Sequence, residues 1–356
     1  MSDQVVISVK NLKTYFYTNE RCNRAINGVS MDIKSGKTLC IVGESGCGKS
    51  VTATSIMQLL PKLSRIEEGE IIYHSGDERG DIRIHELERS SKEMRALRGK
   101  DIAMIFQDPM TALNPVYTIG WQISEMIRSH DKSVSKAEAR ERALKLLTDM
   151  GIPNPQKRID QYPHEFSGGM RQRAMIAMAL ANKPELLIAD EPTTALDVTI
   201  QDQILCQLRE LEKEYGTSII FITHDLGVVA ELCDRVIVMY GGLIMEEGLI
   251  DDIFEEPSHP YTMGLLASIP DLHQDKSQRL APIPGSPPDM TNPPPGCPFA
   301  PRCPYARRIC KDKLPEFVEC GQKHQSRCFL LYPDAPADEH NPFCGRGRKA
   351  AEEAEG

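Results

Sequence analysis

The sequence lacks a long hydrophobic run. Its longest apolar stretches, such as Leu186–Ala189 and Ile219–Ile222, fall far short of the roughly 18 residues a membrane-spanning helix needs. It also lacks the marks of a leader: Met1-Ser-Asp-Gln has neither a basic segment nor an apolar one, which argues against secretion. No long basic tract is present and the formal net charge is −9, so nucleic acid is disfavoured as a partner. Neither an internal repeat nor a long heptad run is visible. These absences predict a chain that stays in the cytoplasm and meets a membrane only through other proteins.

What is present is ordinary for a globular protein: 356 residues, 40% hydrophobic and 26% charged. That length can bury a sizeable core and suits one large domain plus an appendage. Cysteine is the exception, with eleven. Cys22, Cys40, Cys47, Cys206 and Cys233 are scattered, whereas six crowd into Cys297–Cys344. In a reducing compartment such a cluster points to metal more than to disulfides.

Apolar, β-branched segments alternate with long helical patterns, which predicts an α/β domain with a mainly parallel sheet. The candidate strands are Thr38–Val42, Asp101–Phe106, Glu185–Ala189, Thr217–Thr223 and Arg235–Met239. A helical stretch runs from about Ile119 to Ala181, broken at Gly151-Ile-Pro and Tyr162-Pro. The first 35 residues read as short strands, with Asn27-Gly28 as a turn. Composition shifts after Gly248, and Ala281 to Pro304 holds ten prolines in 24 residues, too many for regular helix or sheet. The expected division is therefore 1–248 as the main domain (helical part about 115–181), 249–332 as a cysteine-rich extension, and 333–356 as a mobile tail.

The strongest motif is Gly43-Glu44-Ser45-Gly46-Cys47-Gly48-Lys49-Ser50, a complete G-x-x-x-x-G-K-S phosphate loop between a strand and a helix that continues with Val51. Its glycines let backbone N–H groups face phosphate oxygens, and the helix N-terminus favours anionic charge. Lys49 is expected to reach the β/γ-phosphates of ATP, and the Ser50 hydroxyl to coordinate Mg²⁺. Glu185-Leu-Leu-Ile-Ala-Asp190-Glu191 reads as a buried strand ending in two acids. There Asp190 suits the Mg²⁺ shell and Glu191 suits a general base for the attacking water.

A second Gly-rich turn, Phe166-Ser167-Gly168-Gly169-Met170-Arg-Gln-Arg173, precedes another helix, and one phosphate loop does not need it. Together with Phe106-Gln107, Thr194-Ala-Leu-Asp197 and Thr223-His224-Asp225, in that order, it resembles the ABC ATPase family. The resemblance implies a fold with an antiparallel β subdomain and a helical subdomain. It also implies two ATPase subunits paired head to tail, with Ser167, Gly168 and Gly169 contacting the partner's nucleotide. Gln107 would sense Mg²⁺ and water, Asp197 would lie at the dimer interface, and His224 would contact the γ-phosphate. Phe16 best matches the family's adenine-stacking aromatic, with Tyr15 and Tyr17 as rivals.

The tail, with Pro257-Ser-His-Pro-Tyr-Thr262 and Gly296-Cys297-Pro-Phe-Ala-Pro-Arg-Cys303-Pro-Tyr-Ala306, resembles the C-terminal extension of ATPase subunits from oligopeptide and dipeptide ABC importers. That implies two membrane-spanning permease subunits, a second ATPase subunit that is a paralogue, and an external solute-binding protein. The chain would then sit peripherally on the cytoplasmic face of the cell membrane. Members of this group also carry nickel, glutathione or sugars, and a soluble ABC ATPase acting on DNA or ribosomes is the rival class. Cys297, Cys303, Cys310 and Cys328 offer four thiolates for an iron–sulfur cluster or structural zinc. The resemblance favours a 4Fe–4S cluster at these four positions, with Cys320 as the rival ligand.

Overall fold

The computed structural model describes residues 4–18, 21–193, 198–269, 282–336 and 341–343. Its strands, in chain order, are β1 (Val5–Tyr17), β2 (Cys22–Lys34), β3 (Thr38–Val42), β4 (Ser64–His74), β5 (Asp81–Arg83) and β6 (Ile102–Ile105). They continue with β7 (Leu186–Asp190), β8 (Ser218–Thr223), β9 (Arg235–Tyr240), β10 (Leu243–Leu249), β11 (Val318–Gly321) and β12 (His324–Ser326). Two sheets result: a four-stranded one in the order β2-β1-β4-β5, and an eight-stranded one in the order β11-β12-β10-β9-β3-β8-β7-β6. The small sheet is antiparallel throughout, and the run β9-β3-β8-β7-β6 is parallel.

The central strands are apolar through their middles, with polar residues only at their ends, because both faces are covered. Cys40, Val42, Ala189, Phe221 and Val238 point to one side, where they meet the helices Ile119–His130, Lys136–Asp149 and Gly168–Ala179. Leu39, Ile41, Ile188, Ile222 and Met239, one residue out of phase, point to the other side and pack against Val9, Leu12 and Ile26 of the small sheet. The α/β fold with antiparallel and helical parts expected from the sequence is the fold found. The central strands lie within about a residue of their expected bounds.

The helices follow local chemistry. Ser135 caps Lys136–Asp149 by accepting the Glu138 N–H at 3.2 Å. Ala139, Ala143 and Leu147, four apart, form that helix's buried stripe, and Gly151 ends the segment at φ 65°.

Two expectations need correction. The first 35 residues form two 13-residue strands, and Asn27-Gly28 is no hairpin turn. Gly28, at φ 105°, is an extra residue between the pairs Lys13↔Asn27 and Leu12↔Val29, so it bulges the strand without ending it. The tail expected to be mobile from residue 333 is pinned at 341–343. There Asn341 Nδ2 donates to the Leu330 carbonyl at 3.0 Å and Phe343 is buried. Residues 346–356 lie outside the described residues.

The extension shares the main core. Its strand β12 pairs with β10, and Tyr261, Cys297, Phe299 and Ala300 belong to the same hydrophobic cluster as the central sheet.

Candidate functional site

The phosphate loop leaves the C-terminal end of β3 and enters the helix Lys49–Ile56. Gly43 is required there: at φ 156° a Cβ would stand 2.2 Å from the Met239 carbonyl oxygen. Ser45 and Gly46 form the exposed crest of the loop, while Cys47, Gly48 and Lys49 are buried and Val51 is partly so. The Lys49 Nζ donates to the carbonyls of Gly43 at 2.7 Å and Glu44 at 3.1 Å, which curls the loop around the ammonium.

Three parallel strands that neighbour one another deliver the remaining groups at their C-terminal ends. From the end of β7 come Asp190 and Glu191, from just beyond β6 comes Gln107, and from just beyond β8 comes His224. The Ser50 hydroxyl donates to Asp190 Oδ1 at 2.9 Å, so two hard oxygen donors face each other beside the loop. Burial raises the Asp190 pKa, although the Ser50 hydrogen bond opposes this. Glu191 holds a left-handed backbone, φ 48°, and its carboxylate is gripped from two sides. Gln107 Nε2 donates to Oε2 at 2.9 Å, and His224 Nδ1 lies 3.2 Å from Oε1. Glu191 is thus aimed by its neighbours, with His224 largely exposed beside it.

The second Gly-rich turn lies on the helical subdomain. Ser167 caps the helix Gly168–Ala179 by accepting the Met170 N–H at 3.3 Å. Ser167 and Gly168 are exposed and Gly169 is partly buried. A Cβ on Gly168 would touch nothing within 4 Å, so the turn presents an open N–H surface. Gln172, in the next turn of helix, is buried and donates to the Pro192 carbonyl, tying this helix to the exit of β7. Thr194–Asp197 lies outside the described residues.

Among the three aromatics, the Tyr15 hydroxyl is committed to Asn27 Oδ1 at 3.0 Å, and the Tyr17 hydroxyl donates to Glu67 under the Arg65 guanidinium. Phe16, half-buried at the end of β1, is two residues from Thr14, whose hydroxyl bonds Ser55 on the loop's helix at 3.0 Å.

In the extension, Cys297, Cys303, Cys310 and Cys328 line one cavity with His259, Phe299 and Arg327. Burial pushes the Cys297 thiol up to about 12 and Cys303 up to about 11, and raises Cys328 further. Backbone N–H groups oppose this: Phe299 and Ala300 donate toward Cys297, Tyr305 toward Cys303 and Leu330 toward Cys328. The Arg307 N–H donates to the Cys310 sulfur at 3.5 Å. Four cysteine sulfurs thus gather around one cavity, each met by backbone N–H. Cys320, which donates to the Val318 carbonyl at 3.4 Å, is not in the cavity's lining. Among the described residues no group of three His, Cys, Asp or Glu is gathered closely enough to hold a single ion.

Sequence reasoning missed Tyr261 and Arg302, which reach the phosphate loop from the extension. The one available signal for Arg302 was a lone arginine inside an otherwise apolar cysteine motif.

Comparison with known proteins agrees with this geometry. Residues 26–194 match the family model described as ABC transporter, and residues 245–310 match oligopeptide/dipeptide transporter, C-terminal region. The chain is 52% identical over 332 residues to the oligopeptide transport ATP-binding protein OppD of Bacillus subtilis, covering 93% of this chain and 90% of the relative. It is 52% identical to the dipeptide transport ATP-binding protein DppD of the same organism, covering 91% and 94%. Among solved structures it resembles the dimeric, post-hydrolysis ATP-binding cassette MJ0796 bound to ADP and phosphate. The TM-score is 0.61 at 28% identity, over 68% of this chain and 98% of that one. With such identity over nearly the whole length of both chains, the protein belongs to the ABC transporter ATP-binding proteins that carry the oligopeptide/dipeptide transporter C-terminal region.

Proposed function

We propose that this chain hydrolyses ATP to energise the import of dipeptides or oligopeptides through a membrane ABC transporter. The observation that carries the reading is the pairing of a complete nucleotide site with the peptide-importer extension in one chain. Backbone N–H groups of Gly43–Gly48 cradle the phosphates, Lys49 turns from its loop carbonyls to the β/γ-phosphates, and Val51 continues the helix behind them. Ser50 and Asp190 would hold Mg²⁺, which would supply neutralisation of charge on the phosphate oxygens. Glu191 takes a proton from the attacking water. Gln107 and His224, already bonded to it, orient that water and meet the γ-phosphate. Phe16 stacks on adenine.

The exposed turn Ser167-Gly168-Gly169 completes the site of a second ATPase subunit, a paralogue paired head to tail, with Asp197 at that interface. The dimeric state of the resembling cassette supports this arrangement. Hydrolysis then depends on closure, because each subunit holds half of each site. The transporter has two permease subunits, and a groove near Gln107 and residues 109–119 receives a helix from the membrane subunit; Met110, Val116 and Tyr117 are exposed there, with Trp121 beside them. Among the described residues no helix is long and apolar enough to cross a membrane; a peripheral position on the cytoplasmic face is supported by the chain's likeness to transport ATP-binding proteins. A solute-binding protein outside the membrane supplies the substrate.

Residues 1–248 form the cassette and 249–332 the extension. The four-cysteine cavity would hold a 4Fe–4S cluster, which would staple a segment with little core of its own. Structural zinc is the alternative occupant of the same four sulfurs.

The test is ATP turnover by the chain reassembled with its permease subunits in vesicles. Stimulation by enclosed solute-binding protein loaded with di- or oligopeptide supports the reading. Stimulation only by nickel or glutathione keeps the ATPase and replaces the solute.

A further inference from the structure

The phosphate loop is not held by the cassette alone. Glu44, its second residue, is engaged twice by residues of the extension, at sequence separations of 217 and 258. Its backbone N–H donates to the Tyr261 hydroxyl at 2.9 Å. Its carboxylate receives a two-pronged pair from Arg302, Nη1 to Oε2 at 2.5 Å and Nη2 to Oε1 at 3.0 Å. The Arg302 side chain is 4% exposed and that of Glu44 28%.

The guanidinium has no freedom to leave. Its Nε donates to the Pro284 carbonyl at 2.8 Å, Nη2 to the Ile283 carbonyl at 3.1 Å, and Nη1 to the Tyr240 hydroxyl at 3.1 Å. Tyr240, Tyr261 and Phe299 pack ring on ring beneath it, with centroids 4.6 to 5.3 Å apart. Arg302 directly precedes Cys303, so the segment that braces the loop also lines the cysteine cavity.

The physical need is plain. A loop that receives a polyanionic triphosphate carries a carboxylate of its own at Glu44, and an unpaired carboxylate there repels the ligand. Arg302 cancels that charge in a partly dry setting and, together with Tyr261, fixes the loop before nucleotide arrives. Ordering is then not charged against binding. Neither residue belongs to the phosphate-loop motif.

We propose that Arg302 is a positioning residue for the nucleotide site. By pairing with Glu44, while Tyr261 holds the same residue's backbone, it makes the extension a working part of ATP binding. The inference rests on the reading of the loop as an ATP site, and it is independent of what the cysteines hold.

The experiment is equilibrium binding of a fluorescent ATP analogue with Mg²⁺ to the full-length chain. It compares wild type, Arg302→Gln, Glu44→Gln and the double variant, alongside KM and kcat for hydrolysis. Arg302→Gln is expected to weaken binding about tenfold, the scale of leaving one member of a close charge pair unpaired, with KM rising and kcat nearly kept. In the Glu44→Gln background the same change is expected to cost no more than about twofold, because the repelling carboxylate is gone. Equal losses in both backgrounds, or no loss in either, overturn the proposal. Should Arg302→Gln fail to fold, Arg302→Lys, which keeps the charge and loses the fork, tests the bracing: a smaller loss that disappears in the Glu44→Gln background supports the proposal, and an equal loss in both backgrounds overturns it. A wild-type chain that fails to bind the analogue would instead sink the ATP-site reading.

Discussion

Nε2 of His324 lies 2.8 Å from Oε1 of Glu246, with the two side chains 4% and 0% exposed. The Ser258 N–H donates to the same oxygen at 2.5 Å. The pair joins β12 of the extension to β10 of the cassette. His324→Phe leaves a buried carboxylate without its main partner and is expected to destabilise the chain by about 3 to 5 kcal/mol in urea unfolding. Adding Glu246→Leu is expected to recover much of that loss. A loss below about 1 kcal/mol for His324→Phe alone would show that the pair does not anchor the extension.

Glu191→Gln keeps the side chain's size and removes the proton acceptor. Turnover in the reassembled transporter is expected to fall by about 10²- to 10⁴-fold while nucleotide binding stays within a few-fold. Near-normal hydrolysis would remove Glu191 from the role of base and return attention to Asp190 and His224.

The cysteine cavity makes a selective prediction. Cys297→Ser, Cys303→Ser, Cys310→Ser and Cys328→Ser are each expected to lower bound iron and thermal stability, whereas Cys320→Ser, outside the lining, leaves both unchanged. Anaerobically purified wild type is expected to show broad absorbance near about 400 nm with about four irons and four sulfides per chain. A colourless wild type with one zinc would replace the cluster by a single ion.

Tyr117 and Trp121 stack at 3.9 Å on the surface, with Met110 and Val116 exposed nearby. Trp121→Ala is expected to leave folding and nucleotide binding intact and to reduce co-purification with the permease subunits, with transport falling in parallel. Unchanged co-purification would place the docking surface elsewhere.

The parts of this structure that were legible in the sequence are those set by local chemistry. Ile219–Ile222 reads as a buried strand because a parallel strand covered on both faces has no polar side to show. The phosphate loop reads directly because its residues, turn and helix lie within eight positions. Asn27-Gly28 misled because the dipeptide that favours a hairpin also favours a bulge, and only the pairing with β1 decides between them. The clasp of Arg302 on Glu44 was beyond reach, since nothing near either residue specifies a partner 258 positions away.

The β10–β12 pairing also has a consequence for how the molecule is made. Strand β10 reaches the ribosome exit about 75 residues before the strand that covers its free side, and Glu246 waits 78 positions for His324. Until then a nearly complete cassette displays an unpaired edge, the kind of surface that recruits strands from other chains. A chain cut after Gly248 would keep that edge for good. Pairing with β12 covers that edge, so synthesis of the extension is what removes it.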